Sequence, residues 1–138
     1  MIKHTWSVLC ESASIDNESN KVSIFNVLDG LTVLGDPEQV NGIPVTFEMI
    51  SSWERSKEEP CEGNMRVCQL KPSGEKTSYL EFGIDLSKSH FHRTRIKFNG
   101  LPLAGPGRYL ICVEYKEGDG KWQKAAELPL LVKFEDNK

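Results

Sequence analysis

A chain of 138 residues is long enough for one hydrophobic core, and a chain of that size buries roughly two thirds of the surface its unfolded form exposes. Charges of both signs are interspersed to a net −3, and 38% of the residues are apolar, which speaks against both a nucleic-acid-binding surface and a disordered tail. No apolar run approaches the roughly 18 residues of a membrane span, so one soluble domain over residues 1–138 is expected, with neither nucleic acid nor membrane as its partner.

The start, MIKHTWSVLCESA, holds a lysine, a short apolar run and Cys10. Leu9, not a small residue, precedes that cysteine, so no cleaved signal is expected and residues 6–13 read as the first strand. DNESN is a polar turn, and KVSIFNVLDGLTV follows as the hairpin partner. Apolar on both faces, this second run reads as a central, doubly covered strand. GDPEQVNG is a turn-rich link. In IPVTFEMISSW, Val45, Phe47, Met49 and Trp53 fall on one face and Thr46, Glu48 and Ser52 on the other, the alternation of a half-buried strand.

ERSKEEPCEG suits an exposed loop, and NMRVCQLK makes a strand before the PSGEK turn, as in a hairpin. YLEFGIDL alternates without ambiguity: Leu80, Phe82, Ile84 and Leu86 face one way, and Tyr79, Glu81 and Asp85 the other. HRTRIKF then sets Arg93, Arg95 and Lys97 opposite Thr94, Ile96 and Phe98. An acidic-faced strand followed by a basic-faced one predicts ion pairs between the two. RYLICVEY, the EGDGKW turn and WQKAAELPLLVKF close the domain, with Ala126, Leu128, Leu130 and Val132 inward and Pro129 marking an edge or bulge. EDNK reads as a frayed tail. Helical periodicity is nearly absent, and strand-like runs recur about every dozen residues or more, which predicts an all-β, antiparallel β-sandwich of about seven to nine strands.

The stretch NGLPLAGPGRYLICV joins a Gly/Pro corner to a strand. It lacks the lysine and Ser/Thr of a phosphate-binding P-loop and leads into a strand where such a site needs a helix N-terminus. Gly107-Arg108-Tyr109 instead resembles the immunoglobulin-type corner, which implies an immunoglobulin-like sandwich and a Tyr109 hydroxyl turned back to the backbone just upstream. Cys112, three residues on, has the opposite parity to Tyr109, so the inter-sheet disulfide of true immunoglobulin domains is not expected. With WSVLCESASID and KVSIFNVLDGL, the corner is also similar to the pattern of a family of small bacterial proteins of unknown function. That resemblance implies a bacterial, cytoplasmic β-sandwich and brings no catalytic residue with it.

Several residue groups bear on chemistry. His90 and His92 share a face if HFH is extended, and two imidazoles at that spacing can share a transition metal, but no third ligand lies at a familiar spacing. Asp16, Glu18 and Asn20, or Glu117 and Asp119, offer turn oxygens to Ca²⁺, yet each loop supplies only one or two carboxylates. Cys10, Cys61, Cys68 and Cys112 read as free thiols, Cys10 and Cys112 within apolar strand-like runs, and whether Cys61 and Cys68, which flank EGNMRV, meet across a loop is left open. Cys10 or Cys112 with His92 would be the raw material of a nucleophilic site, but no catalytic signature accompanies them. Trp53 and Trp122 read as packing aromatics before sugar-stacking ones.

The expectation is therefore a module without cofactor or metal that binds another protein or assembles with itself through an edge strand, not an enzyme. His90, His92, Arg93 and Arg95 of SKSHFHRTR are its candidate contact residues. A small-ligand or metal-binding sandwich, with Ca²⁺ or a His-coordinated ion, is the alternative, and a Cys/His enzyme the third reading.

Overall fold

The computed structural model describes residues 1–36, 43–101 and 105–135. The 37–42 link, residues 102–104 of the corner and the last three residues of the tail lie outside them. The strands are β1 (Ile2–Ile15), β2 (Val22–Val27), β3 (Gly30–Leu34), β4 (Ile43–Arg55), β5 (Cys61–Leu70), β6 (Leu80–Leu86), β7 (Phe91–Leu101), β8 (Gly107–Glu117) and β9 (Gln123–Glu135). They form a four-stranded sheet, β2-β1-β4-β7, and a five-stranded sheet, β3-β9-β8-β5-β6. This is the predicted all-β sandwich, antiparallel except that β3 runs parallel to β9.

Alternation builds the interior. From the first sheet come Leu9, Phe47, Met49, Trp53, Ile96 and Phe98; from the second come Met65, Val67, Ile84, Leu86, Tyr109, Ile111, Val113, Leu130 and Val132. Each large apolar side chain that is fully buried contributes about 1.5–3 kcal/mol. Phe47 and Phe98 stack across β4 and β7 with centroids 4.9 Å apart. Trp53 is completely buried, meeting the His4 ring edge-on at 4.9 Å and Tyr115 of the opposite sheet at 5.4 Å. It ties the two sheets together.

The corner behaves as its sequence predicts. The Tyr109 hydroxyl donates to the Gly105 carbonyl at 2.8 Å, fixing the entry into β8. Gly107 is required twice over, because its φ is +139° and an added Cβ would stand 2.9 Å from the Pro72 ring. Tyr109, Ile111 and Val113 then point inward, which leaves Cys112 on the outer face.

Four expectations need correction. The run 21–33 is not one central strand: it breaks at Leu28–Asp29, and its halves go to the edges of opposite sheets. Asn26, at φ +55°, turns the backbone just before the break. The run carries apolar residues on both faces because its halves serve two sheets, and Phe25 and Val27 stay exposed. Secondly, β4 is covered on both faces, since Glu48, Ile50 and Ser52 are as buried as Phe47. A small outer cluster of Cys10, Ala13 and Ile50, with Trp6, Val22 and Ile24 against it, forms where β1 continues past β4 to pair with β2.

Thirdly, β6 and β7 end different sheets, so their charged faces do not form one ladder. Arg95 pairs instead with Glu48 of β4. Finally, β9 is an edge only in part: β8 pairs with it from Gln123 to Val132 and β3 from Leu131 onward. Pro129 lies in the half with one open side, where its missing N–H leaves no ladder bond unmade.

Candidate functional site

Three of the predicted contact residues, His92, Arg93 and Arg95, lie in β7, the longest edge strand among the described residues. β7 spans eleven residues and forms the end of the first sheet, paired with β4 from Leu101 back to Phe91. The other edge strands are shorter: β2 has six residues, β3 five and β6 seven. The half-buried His92 of β7 is turned toward Asp85 of β6. Natural sheets blunt their edges with short strands, prolines, bulges or charges, and β7 carries a row of charges and an irregular register with β4 at its Gly100 end.

Thr94, Ile96 and Phe98 point into the core, so Arg93, Arg95 and Lys97 point out, as the alternation predicts. Their situations differ. Arg95 donates from Nε to Glu48 Oε1 at 2.6 Å and is tied to its own sheet. Arg93 has Nε and Nη1 buried without a hydrogen-bond partner among the described residues, and its guanidinium carbon lies 5.6 Å from the Phe91 ring centroid. Lys97 is exposed, and Phe91 leaves 47% of its surface to solvent.

The two histidines part company. His90 is exposed beside Glu58, 4.0 Å away, whereas His92 is half-buried and turned to β6. Among the described residues no three His, Cys, Asp or Glu side chains converge as a metal site would require. The turn carboxylates have structural work. Asp16 Oδ1 accepts the Glu18 and Ser19 amides at 2.8 Å, and Glu117 accepts the amide of Ile2.

The thiols are free, and the fold pairs them differently from the sequence expectation. Cys68 stands directly opposite Cys112 in the β5–β8 ladder, while Cys61 is opposite Leu86. Cys10 belongs to the outer cluster of the first sheet, so neither it nor Cys112 meets His92. Trp122 lies against Arg66 and Lys116, with Arg66 also over the Tyr79 ring at 3.9 Å and bonded to Glu114 at 3.1 Å. Loop spacing brought Cys61 and Cys68 to attention; only strand order reveals the Cys68–Cys112 pair.

Burial lowers the pKa of both His4 and His92 below the ordinary histidine value of 6.5. For His92 the neighbouring Asp85 carboxylate opposes burial without overcoming it. As pH falls, the unfolded chain takes up these protons first, so stability is full above about pH 7.5 and declines below about 6.5. The decline ends once pH passes the depressed folded-state values. We expect the melting temperature to drop between pH 7.5 and 5. His4→Gln and His92→Gln should each flatten that slope, and an unchanged slope in the double variant would refute the assignment.

Neither a family model nor a curated protein matches the chain. Among solved structures it is similar to the alkylpurine DNA glycosylase AlkC of Pseudomonas fluorescens, with 8% identity and a TM-score of 0.52. That match covers 96% of this chain and 30% of the glycosylase. It is likewise similar to a family 123 glycoside hydrolase from Clostridium perfringens, with 9% identity, a TM-score of 0.51, and coverage of 99% of this chain and 28% of the hydrolase. The chain therefore spans about a third of each protein, and at such identities the likeness is one of fold alone, that of an all-β sandwich.

Proposed function

We propose that the protein is a non-enzymatic binding module that accepts an extended, acidic segment of a partner protein along the free edge of β7. The observation that carries this reading is an eleven-residue strand at the end of its sheet with an outward row of Arg93, Arg95 and Lys97. A strand added there gains main-chain hydrogen bonds, and its alternate side chains meet the basic row. The positive charges of Arg93 and Lys97 on the outward face of β7 are a reason to favour carboxylates opposite them. The same charge argues against pairing between two β7 edges, because that would align basic rows. Free thiols suit the reducing interior that the bacterial resemblance implies.

The test is a titration of the labelled protein with a synthetic peptide alternating Glu and Val, followed by NMR. The amides of β7 should shift, a Lys/Val peptide should leave them unmoved, and Arg93→Glu/Lys97→Glu should weaken binding at least about tenfold. Shifts confined to another surface, or affinity indifferent to the double reversal, would sink the reading.

A further inference from the structure

The outer face of the second sheet carries a feature that edge binding does not use. Cys68 and Cys112 are register partners in the antiparallel β5–β8 ladder, and both line one depression on the outer face. Register partners have Cα atoms about 4.5–5.5 Å apart, inside the roughly 4.4–6.8 Å that a disulfide bridges. The two thiols share a depression of about 140 Å³ with Lys76, Glu114, Lys124 and Glu127. They differ in access: Cys68 is 2% exposed, whereas Cys112 is only partly buried.

We propose that Cys68 and Cys112 form a two-thiol modification site that closes to a cross-strand disulfide by exchange with a small-molecule disulfide. Cys112, the accessible thiol, attacks as thiolate: its sulfur bonds to one sulfur of the reagent and the other leaves as a thiolate. Cys68, too buried to meet the reagent but beside Cys112, loses its proton and displaces the second reagent thiolate from Cys112. Overall two protein thiols are oxidised by two electrons, and one small disulfide is reduced to two small thiols. Reversal needs only excess small thiol.

The surroundings set the rate. Burial first, then Cys68 and Glu127, push the Cys112 thiol up to about 11, with Lys76 opposing them. The pair is thus mostly protonated near neutrality and resists casual oxidation. Glu127, the Cys112 partner in β9, is in turn paired with Lys124.

The test incubates the folded, full-length chain with glutathione disulfide and maps its peptides by mass spectrometry. The expected product links Cys68 to Cys112, and its rate of formation climbs about tenfold per pH unit between 7 and 9. Cys68→Ser should hold one glutathione on Cys112 that is never resolved, and Cys112→Ser should leave Cys68 unmodified. Melting curves of both variants confirm that they are folded. No linked peptide, a link to Cys10 or Cys61 instead, or glutathione reaching Cys68 in the Cys112→Ser chain would each overturn the assignment.

Discussion

Trp53→Ala should lower the melting temperature by about 10–20 °C, the largest effect of any single substitution considered for this chain. Trp53 is fully buried at the centre of the sandwich, with His4 of β1 and Tyr115 of β8 against its ring. Truncation removes the transfer free energy of the indole and leaves a cavity between two sheets that cannot fully collapse onto it, at a cost of about 3–5 kcal/mol. That is a large share of the 5–15 kcal/mol typical of a domain. Trp53→Phe separates packing from polarity. It keeps a ring at the contact and removes the indole N–H, which is buried without an acceptor among the described residues, so its cost should stay below about 2 kcal/mol. Thermal melts monitored by circular dichroism decide the matter. Near-equal losses for the two variants would mean that Trp53 is not the tie between the sheets.

The sequence shows most where a strand serves one face at a time. In β7 the alternation of Thr94, Ile96 and Phe98 names the buried set correctly, and in β6 it does so for Ile84 and Leu86, whereas Phe82 is half-buried and Leu80, at the start of the strand, stays 49% exposed. The Tyr109 corner could be read to the level of its hydrogen bond, because it is made by residues four apart in the chain. Reading failed where long-range topology decides. Residues 21–33 look like one strand because both halves are apolar, and nothing local says that they part to different sheets. Nor does periodicity reveal that Glu48 lies under a second, outer cluster. The candidate site was legible in part. Spacing placed Arg93 and Arg95 on one face, but which basic residue is already engaged depends on β4 being the neighbour of β7.

Arg95→Ala should destabilise the chain more than Glu48→Ala, although both break the same pair. Glu48 is 2% exposed and accepts the Ala13 amide at 2.6 Å as well as Arg95. It satisfies the amide of β1 where that strand runs beyond its last β4 partner, Cys10 opposite Glu48. Removing Glu48 orphans one buried amide, but the Arg95 side chain, 48% exposed, returns to water. The expected cost is about 2 kcal/mol. Removing Arg95 leaves the carboxylate buried without its counter-charge, and the expected cost rises to about 3 kcal/mol, at the low end for a broken buried pair because one side of it faces solvent. Glu48→Gln should recover most of that loss in the Arg95→Ala background, since a neutral amide needs no counter-charge. Denaturant titrations of the three variants and the double variant test this, and an Arg95→Ala cost no greater than that of Glu48→Ala would refute it. The ordering also bears on edge binding: a change at Arg95 disturbs the support of the first sheet, so the contribution of the basic row to a partner is read cleanly only at Arg93 and Lys97.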